Sequence, residues 1–125
     1  MKKSELIAVI LMFFATIGAV VGIFALENYR KRKFYTIELI ARAPEHGNWY
    51  PRKITVPLGK EVKILIRNIE TVTHGFAIPD LNISAGGIKA GETKVVRFTP
   101  TQKGTFPFMC TVWCSEHHLN MRGEL

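Results

Sequence analysis

The run Cys110-Thr111-Val112-Trp113-Cys114-Ser115-Glu116-His117-His118-Leu119-Asn120-Met121 concentrates the chemistry of this chain. It holds both cysteines, two of the four histidines and one of the four methionines. Thiolate, imidazole and thioether donors together suit a soft or borderline metal, copper before any other. Magnesium and calcium take oxygen ligands and fit such a set poorly. Cys110, Cys114, His118 and Met121 follow one another at spacings of four, four and three residues. A single loop can therefore bring all four side chains to one point. A further imidazole, His74 in Thr73-His74-Gly75-Phe76, lies elsewhere in the chain.

Other readings of these residues explain less. A Cys110–Cys114 disulfide leaves the downstream histidine and methionine without a role. A structural zinc site normally shows a second closely spaced Cys or His pair, and methionine is a poor zinc ligand. A cysteine protease needs one Cys and a distant His, which leaves the second Cys and the Met unexplained. Gly86-Gly87 lacks the other glycines and the lysine of a phosphate-binding loop. No nucleic-acid motif is present, and no basic stripe interleaved with aromatics. Of the adjacent imidazoles, spacing selects His118 for the site and leaves His117 at its rim.

The elements that must position these residues divide into two. The chain has 125 residues and a formal net charge of +7, yet 47% of its residues are apolar, because the apolar residues are segregated. From Leu6 to Ala25 the only polar side chain is Thr16. As a helix, Leu6 to Leu26 spans roughly 31 Å, about the thickness of a bilayer's hydrocarbon. A cleaved signal peptide is the alternative, since Lys2 and Lys3 supply a basic start. The run exceeds the usual h-region of about 7–15 residues, however, and no small-x-small cleavage site follows it. The prediction is an uncleaved membrane anchor with its juxtamembrane segment over residues 1–33. Lys2 and Lys3 flank one end, and Arg30, Lys31, Arg32 and Lys33 the other. By the positive-inside rule this balance leans towards a cytoplasmic C-terminal domain. The metal chemistry argues for the periplasmic or extracellular side of the cell membrane. The basic cluster suits lipid phosphates.

Residues 34–125 carry 11 Lys plus Arg against 8 Asp plus Glu, so this part is only mildly basic. Strands are expected at 35–40, 54–56, 62–66, 94–98 and 105–109, as short alternating or apolar runs bounded by Gly and Pro. Their spacing of about ten residues fits an all-β sandwich or barrel. Pro107 must lie at an edge or at a position that donates no ladder hydrogen bond. No helical period follows the anchor.

The pattern Cys110-x3-Cys114-x3-His118-x2-Met121, with Thr73-His74-Gly75-Phe76 at the start of a strand, resembles the binuclear copper site called CuA. That site belongs to subunit II of cytochrome c oxidases. The resemblance covers most of 35–125, including Trp49-Tyr50-Pro51 ahead of Ile54-Thr55-Val56-Pro57-Leu58-Gly59. It implies a cupredoxin-like Greek-key β-sandwich preceded by one transmembrane α-helix, similar to the compact subunit II of some bacterial and archaeal oxidases. It implies two copper ions, with Cys110 and Cys114 bridging them and His74 and His118 binding one each. Met121 and the backbone carbonyl of Val112 would be weak ligands. Trp49, Tyr50 and Trp113 are the implied candidates for electron uptake, with Trp49 and Tyr50 at an exposed aromatic position; the alternatives are Trp49 as filling of the sandwich and Trp113 packed in the core or at the subunit interface. The implied partners are a haem-bearing oxidase subunit I, a cytochrome c-type donor and the bilayer. Turnover is expected from the assembled oxidase and not from the isolated chain.

This chain departs from the family in places. Many members carry at position 112 a Glu that helps bind magnesium at the subunit I interface, and Val112 has no carboxylate. A Gly commonly follows the second Cys, where this chain has Ser115. Only Arg122 to Leu125 remain for a final strand. A membrane-tethered copper-binding or copper-delivery protein without an oxidase partner is the alternative function. A nitrous oxide reductase-like electron module is another, although that family attaches a large propeller. Thioredoxin-fold copper chaperones also use Cys-x3-Cys, but there the cysteines follow an early strand and precede a long α/β domain.

Overall fold

The computed structural model describes residues 1–125, which form two units, Met1–Lys33 and Phe34–Leu125. The first unit is a helix, α1, Lys3–Lys33, long and apolar enough to cross a membrane. Glu5 caps its start by accepting a hydrogen bond from the Lys2 backbone N–H at 2.8 Å, the reach-back half of a capping box. Thr16 donates its hydroxyl to Met12 O at 2.7 Å, so the one polar side chain of the apolar run is satisfied within the helix. Arg30 to Lys33 occupy the last turn, where cations meet the negative end of the helix dipole.

The second unit is a sandwich of two sheets. Its strands are β1 Phe34–Ala41, β2 Glu61–Asn68, β3 His74–Ile78, β4 Ile83–Ile88, β5 Thr93–Phe98, β6 Pro107–Met109 and β7 Arg122–Glu124. One sheet has the order β1-β2-β5 and the other β4-β3-β6-β7. β1 runs parallel to β2, with Leu39 opposite Ile66. The remaining pairings are antiparallel. Alternation on β2 sends Val62, Ile64, Ile66 and Asn68 inward, as a sheet with one wet face requires. Leu39, Phe76, Ile78, Ile88 and Phe108 meet them in the core. Trp49 packs edge-on against Phe76 and Phe108, with ring centroids 5.7 and 5.8 Å away.

The sequence expectations and the fold differ at two places. Residues 54–56 are not a strand. The segment joins the sheet edge through a Lys53–Glu124 bridge, with Ile54 N–H donating to Glu124 O at 2.9 Å and Glu124 N–H to Arg52 O at 2.8 Å. It goes no further as a strand because its partner β7 is three residues long. The strand β4 lies outside the expected strands, and it contains Gly86-Gly87. Gly86 has φ 67° close to a register shift in the β3–β4 pairing at Phe76/Ala77, so the glycine serves a bulge within the strand. Pro107 lies where expected. Phe106 and Leu125 exchange both backbone hydrogen bonds at 2.8 Å, so the Pro107 nitrogen points away from β7 by ladder alternation and no ladder donor is lost.

Candidate metal centre

Two loops at one end of the sandwich carry the donor groups. β3 opens with His74, fully buried. β6 runs directly into Cys110, and the loop returns through a single 3-10 turn, His118–Asn120, to Met121 and β7. The Met121 carbonyl ties the base of this loop. It accepts the Cys110 backbone N–H at 3.1 Å and the Trp49 indole N–H at 3.2 Å. Asn48 donates its side-chain amide to Asn120 O at 2.8 Å. The return turn is thereby held from both sides.

The structure brings the six expected donors together. The sulfurs of Cys110 and Cys114 are 3.9 Å apart and unlinked. His74 Nδ1 lies 3.9 Å from Cys110 Sγ, and His118 Nδ1 lies 3.7 Å from Cys114 Sγ. The Val112 carbonyl is 3.1 Å from Cys110 Sγ, and Met121 Sδ is 3.7 Å from Cys114 Sγ. Each sulfur thus has its own imidazole and its own weaker donor. The ligand atoms of His74, Cys110 and Cys114 all lie within 4.8 Å of one another. Such a set fits copper by chemistry as well as distance: two soft thiolates, two imidazoles and a thioether around a nearly closed site. His117 points outward, with Nε2 at 4.0 Å from Glu45 Oε1.

The aromatic residues are placed differently from one another. Trp113 is 73% exposed and Tyr50 63% exposed. Trp49 is 1% exposed, which corrects the exposed position expected for it. The Trp49-Tyr50-Pro51 segment joins β1 through the Ile40–Tyr50 bridge, and strand alternation then turns Tyr50 outward and Trp49 inward.

Electrostatics separates the two thiols. Burial raises the Cys114 thiol to about 12, with the neighbouring Cys110 charge adding to it. Burial pushes Cys110 upward too, but His74, backbone hydrogen bonds at Gly75 and Val112, and Cys114 carry it below the ordinary thiol value. One thiol therefore stays protonated through the neutral range while the metal is absent. Metal ligation needs the thiolate, so binding must expel that proton. Copper affinity is expected to rise with pH by about tenfold per unit for each proton released. Titration of the metal-free protein in weak buffer, following pH as copper is added, checks this. A loading curve that is flat between pH 6 and 8 would contradict it.

Sequence reading missed two kinds of residue here. Gly75 is one: a Cβ there would lie 2.1 Å from Thr111 Oγ1 and 3.0 Å from the Val112 backbone nitrogen. Gly75→Ala is expected to push residues 111–112 away, to cost about 1–3 kcal/mol as overpacking does, and to impair copper retention. Pairing it with Thr111→Gly relieves the nearer clash, so melting temperature and copper content should partly recover in the double variant. Glu70 is the other. It accepts a hydrogen bond from His74 Nε2 at 2.6 Å, and only its position four residues before His74 hinted at that.

Comparison with known proteins agrees with the fold. Residues 6–125 match the cupredoxin-like domain family. A nitrous-oxide reductase of Ralstonia nicotianae is 33% identical over 99 residues, 77% of this chain and 15% of the relative. An alternative cytochrome c oxidase subunit 2 of Bradyrhizobium diazoefficiens is 30% identical over 70 residues, 56% of this chain and 24% of the relative. The chain thus spans less than a quarter of either relative's length. Among solved structures, a chain of a heme-copper terminal oxidase dimer superposes with a TM-score of 0.62 at 18% identity, covering 98% of this chain and 96% of that one. With its two-sheet sandwich and a histidine–dicysteine cluster at one end, the chain belongs to the cupredoxin-like domain family.

Proposed function

We propose that the chain is the electron-accepting subunit, subunit II, of a haem–copper cytochrome c oxidase. Its cluster would hold a binuclear copper centre between a c-type cytochrome donor and a haem-bearing subunit I. The observation that carries this reading is the pair of matched donor groups, His74–Cys110–Val112 O and Cys114–His118–Met121 Sδ, with sulfurs 3.9 Å apart. A single-copper blue site needs one Cys with two His and would leave the second thiol idle.

When bound, the copper pair supplies one-electron storage shared between two metals. The chain's own residues do the rest. Cys110, Cys114, His74 and His118 would hold the copper, with Met121 and the Val112 carbonyl as weaker donors. The two hydrogen bonds on Met121 O and the aromatic packing of Trp49 keep the loop from moving as charge changes. On the outer surface, Trp113 at 73% and Leu119 at 74% exposure offer an apolar contact for a donor. With a domain only mildly basic overall, charge steering would be weak. The helix α1 would anchor this domain to the cell membrane, with the domain on the periplasmic or extracellular side. A protease added to intact spheroplasts should then remove the domain, and protection of it would reverse the orientation.

The similarity to nitrous-oxide reductase and the stand-alone copper-binding reading differ from the proposal in their partners. Purified from its native membrane in mild detergent, the chain is expected to carry haem in fixed ratio through a shared partner. A copper-loaded chain that elutes without haem would favour the stand-alone reading. In the intact assembly, the rate of electron uptake from a c-type cytochrome should fall only slightly with salt and should drop in Trp113→Ala. A steep salt dependence would reject the apolar contact.

A further inference from the structure

Glu70 lies outside the donor set, yet the fold builds it onto that set. Its side chain is 12% exposed. One carboxylate oxygen, Oε2, accepts from His74 Nε2 at 2.6 Å and from the Ala43 backbone N–H at 2.8 Å. The other meets Nδ1 of His46, a largely exposed ring. The Glu70 backbone N–H donates to Asn68 Oδ1 at 2.9 Å. Buried Asn68 in turn donates to Val72 O at 2.7 Å and Ile88 O at 2.9 Å. The loop between β2 and β3 is therefore shaped to hold one carboxylate against one imidazole.

Two consequences follow from elementary chemistry. A neutral imidazole has one N–H and one lone pair. A proton donated from Nε2 to Glu70 leaves the lone pair on Nδ1, the nitrogen that faces Cys110 Sγ at 3.9 Å. The carboxylate thus selects the tautomer that binds metal and fixes the ring's rotation. The second consequence is an asymmetry. His118 turns its Nδ1 to Cys114 Sγ at 3.7 Å and has no carboxylate in hydrogen-bond reach. Negative charge is thereby placed behind one imidazole only, in a water-poor setting where it acts strongly.

We infer that Glu70 is a positioning residue for His74 and that its charge makes the two halves of the centre unequal, lowering the centre's reduction potential. This rests on the copper reading proposed above. The oxidised centre carries one more positive charge than the reduced one, so an anion behind His74 stabilises the oxidised form more. Removing that charge must raise the potential. His46 occupies the second carboxylate oxygen and holds the carboxylate's orientation from outside the donor set.

The test compares wild type, Glu70→Gln, Glu70→Ala and His46→Ala as full chains in detergent. Copper content and midpoint potential are read after loading with copper, and ring-nitrogen NMR is read on the metal-free protein at alkaline pH, where the ring is neutral. Glu70→Gln keeps the size and an oxygen acceptor but loses the charge. It is expected to retain wild-type copper and to shift the oxidised-to-reduced equilibrium about tenfold towards reduced, a rise of about 59 mV for one electron. Glu70→Ala also loses the hydrogen bond, with copper retention about 10–100-fold weaker and the Nε2–H tautomer preference lost. His46→Ala keeps the carboxylate's charge and should move the potential by less than Glu70→Gln does. An unchanged potential in Glu70→Gln would overturn the inference. A wild-type chain that takes up no copper would count against the proposed function alone. The metal-free spectra then decide for Glu70: a tautomer preference lost in Glu70→Ala supports it, and an unchanged one overturns it.

Discussion

Trp49→Ala is expected to destabilise the folded domain by about 3–5 kcal/mol, the range for truncating a buried aromatic. That is a large part of the roughly 5–15 kcal/mol that holds a domain together. Three contacts disappear at once. The indole packs edge-on against Phe76 and Phe108, and its N–H reaches Met121 O at 3.2 Å. The last contact couples stability to the site, because Met121 O also receives the Cys110 N–H. Copper retention should therefore fall together with the denaturant midpoint. Trp49→Phe keeps most of the packing and loses one hydrogen bond, so its cost should be about 1 kcal/mol. Chemical denaturation of the three proteins with copper assayed in parallel checks both points. Wild-type stability in Trp49→Ala with slow electron uptake would instead return Trp49 to the role of an uptake residue.

The adjacent histidines give the second large contrast. His118 places Nδ1 3.7 Å from Cys114 Sγ, whereas His117 lies in the exposed rim, 4.0 Å from Glu45. His118→Ala is expected to lower copper affinity by more than the 10–100-fold that loss of an outer hydrogen-bond partner costs, and to alter the visible spectrum. His117→Ala should leave both unchanged, since its link to Glu45 is a solvent-exposed contact of little energy. Equal effects of the two changes would mean that the 3-10 turn at His118–Asn120 is not the element that delivers the imidazole.

What could be read from the sequence, and what could not, follows from how local each signal is. β2 and β5 were legible because alternation over five or more residues identifies a half-buried strand without reference to its partner. The loop donors were legible because Cys110, Cys114, His118 and Met121 lie within one short run. The strand β4 was not, because Gly86 takes its meaning from a bulge opposite Phe76. Trp49 was placed outside because an aromatic pair carries no sign of which ring faces inward. That is decided by the Ile40–Tyr50 bridge between segments ten residues apart. Glu70, in the loop before β3, and Gly75, within β3, depend on contacts with distant segments, Ala43 and His46 for the one and Thr111 for the other. No periodicity encodes such pairs.

The most direct test of the account is the metal count of the full chain, loaded with copper, stripped of loosely bound ions and analysed alongside its electron spin resonance spectrum. The expected result is two coppers per folded chain, with a single unpaired electron spread over both nuclei, and loss of that signature in both Cys110→Ser and Cys114→Ser. One copper per chain, or zinc bound in preference to copper, would contradict the binuclear centre on which the proposed function stands.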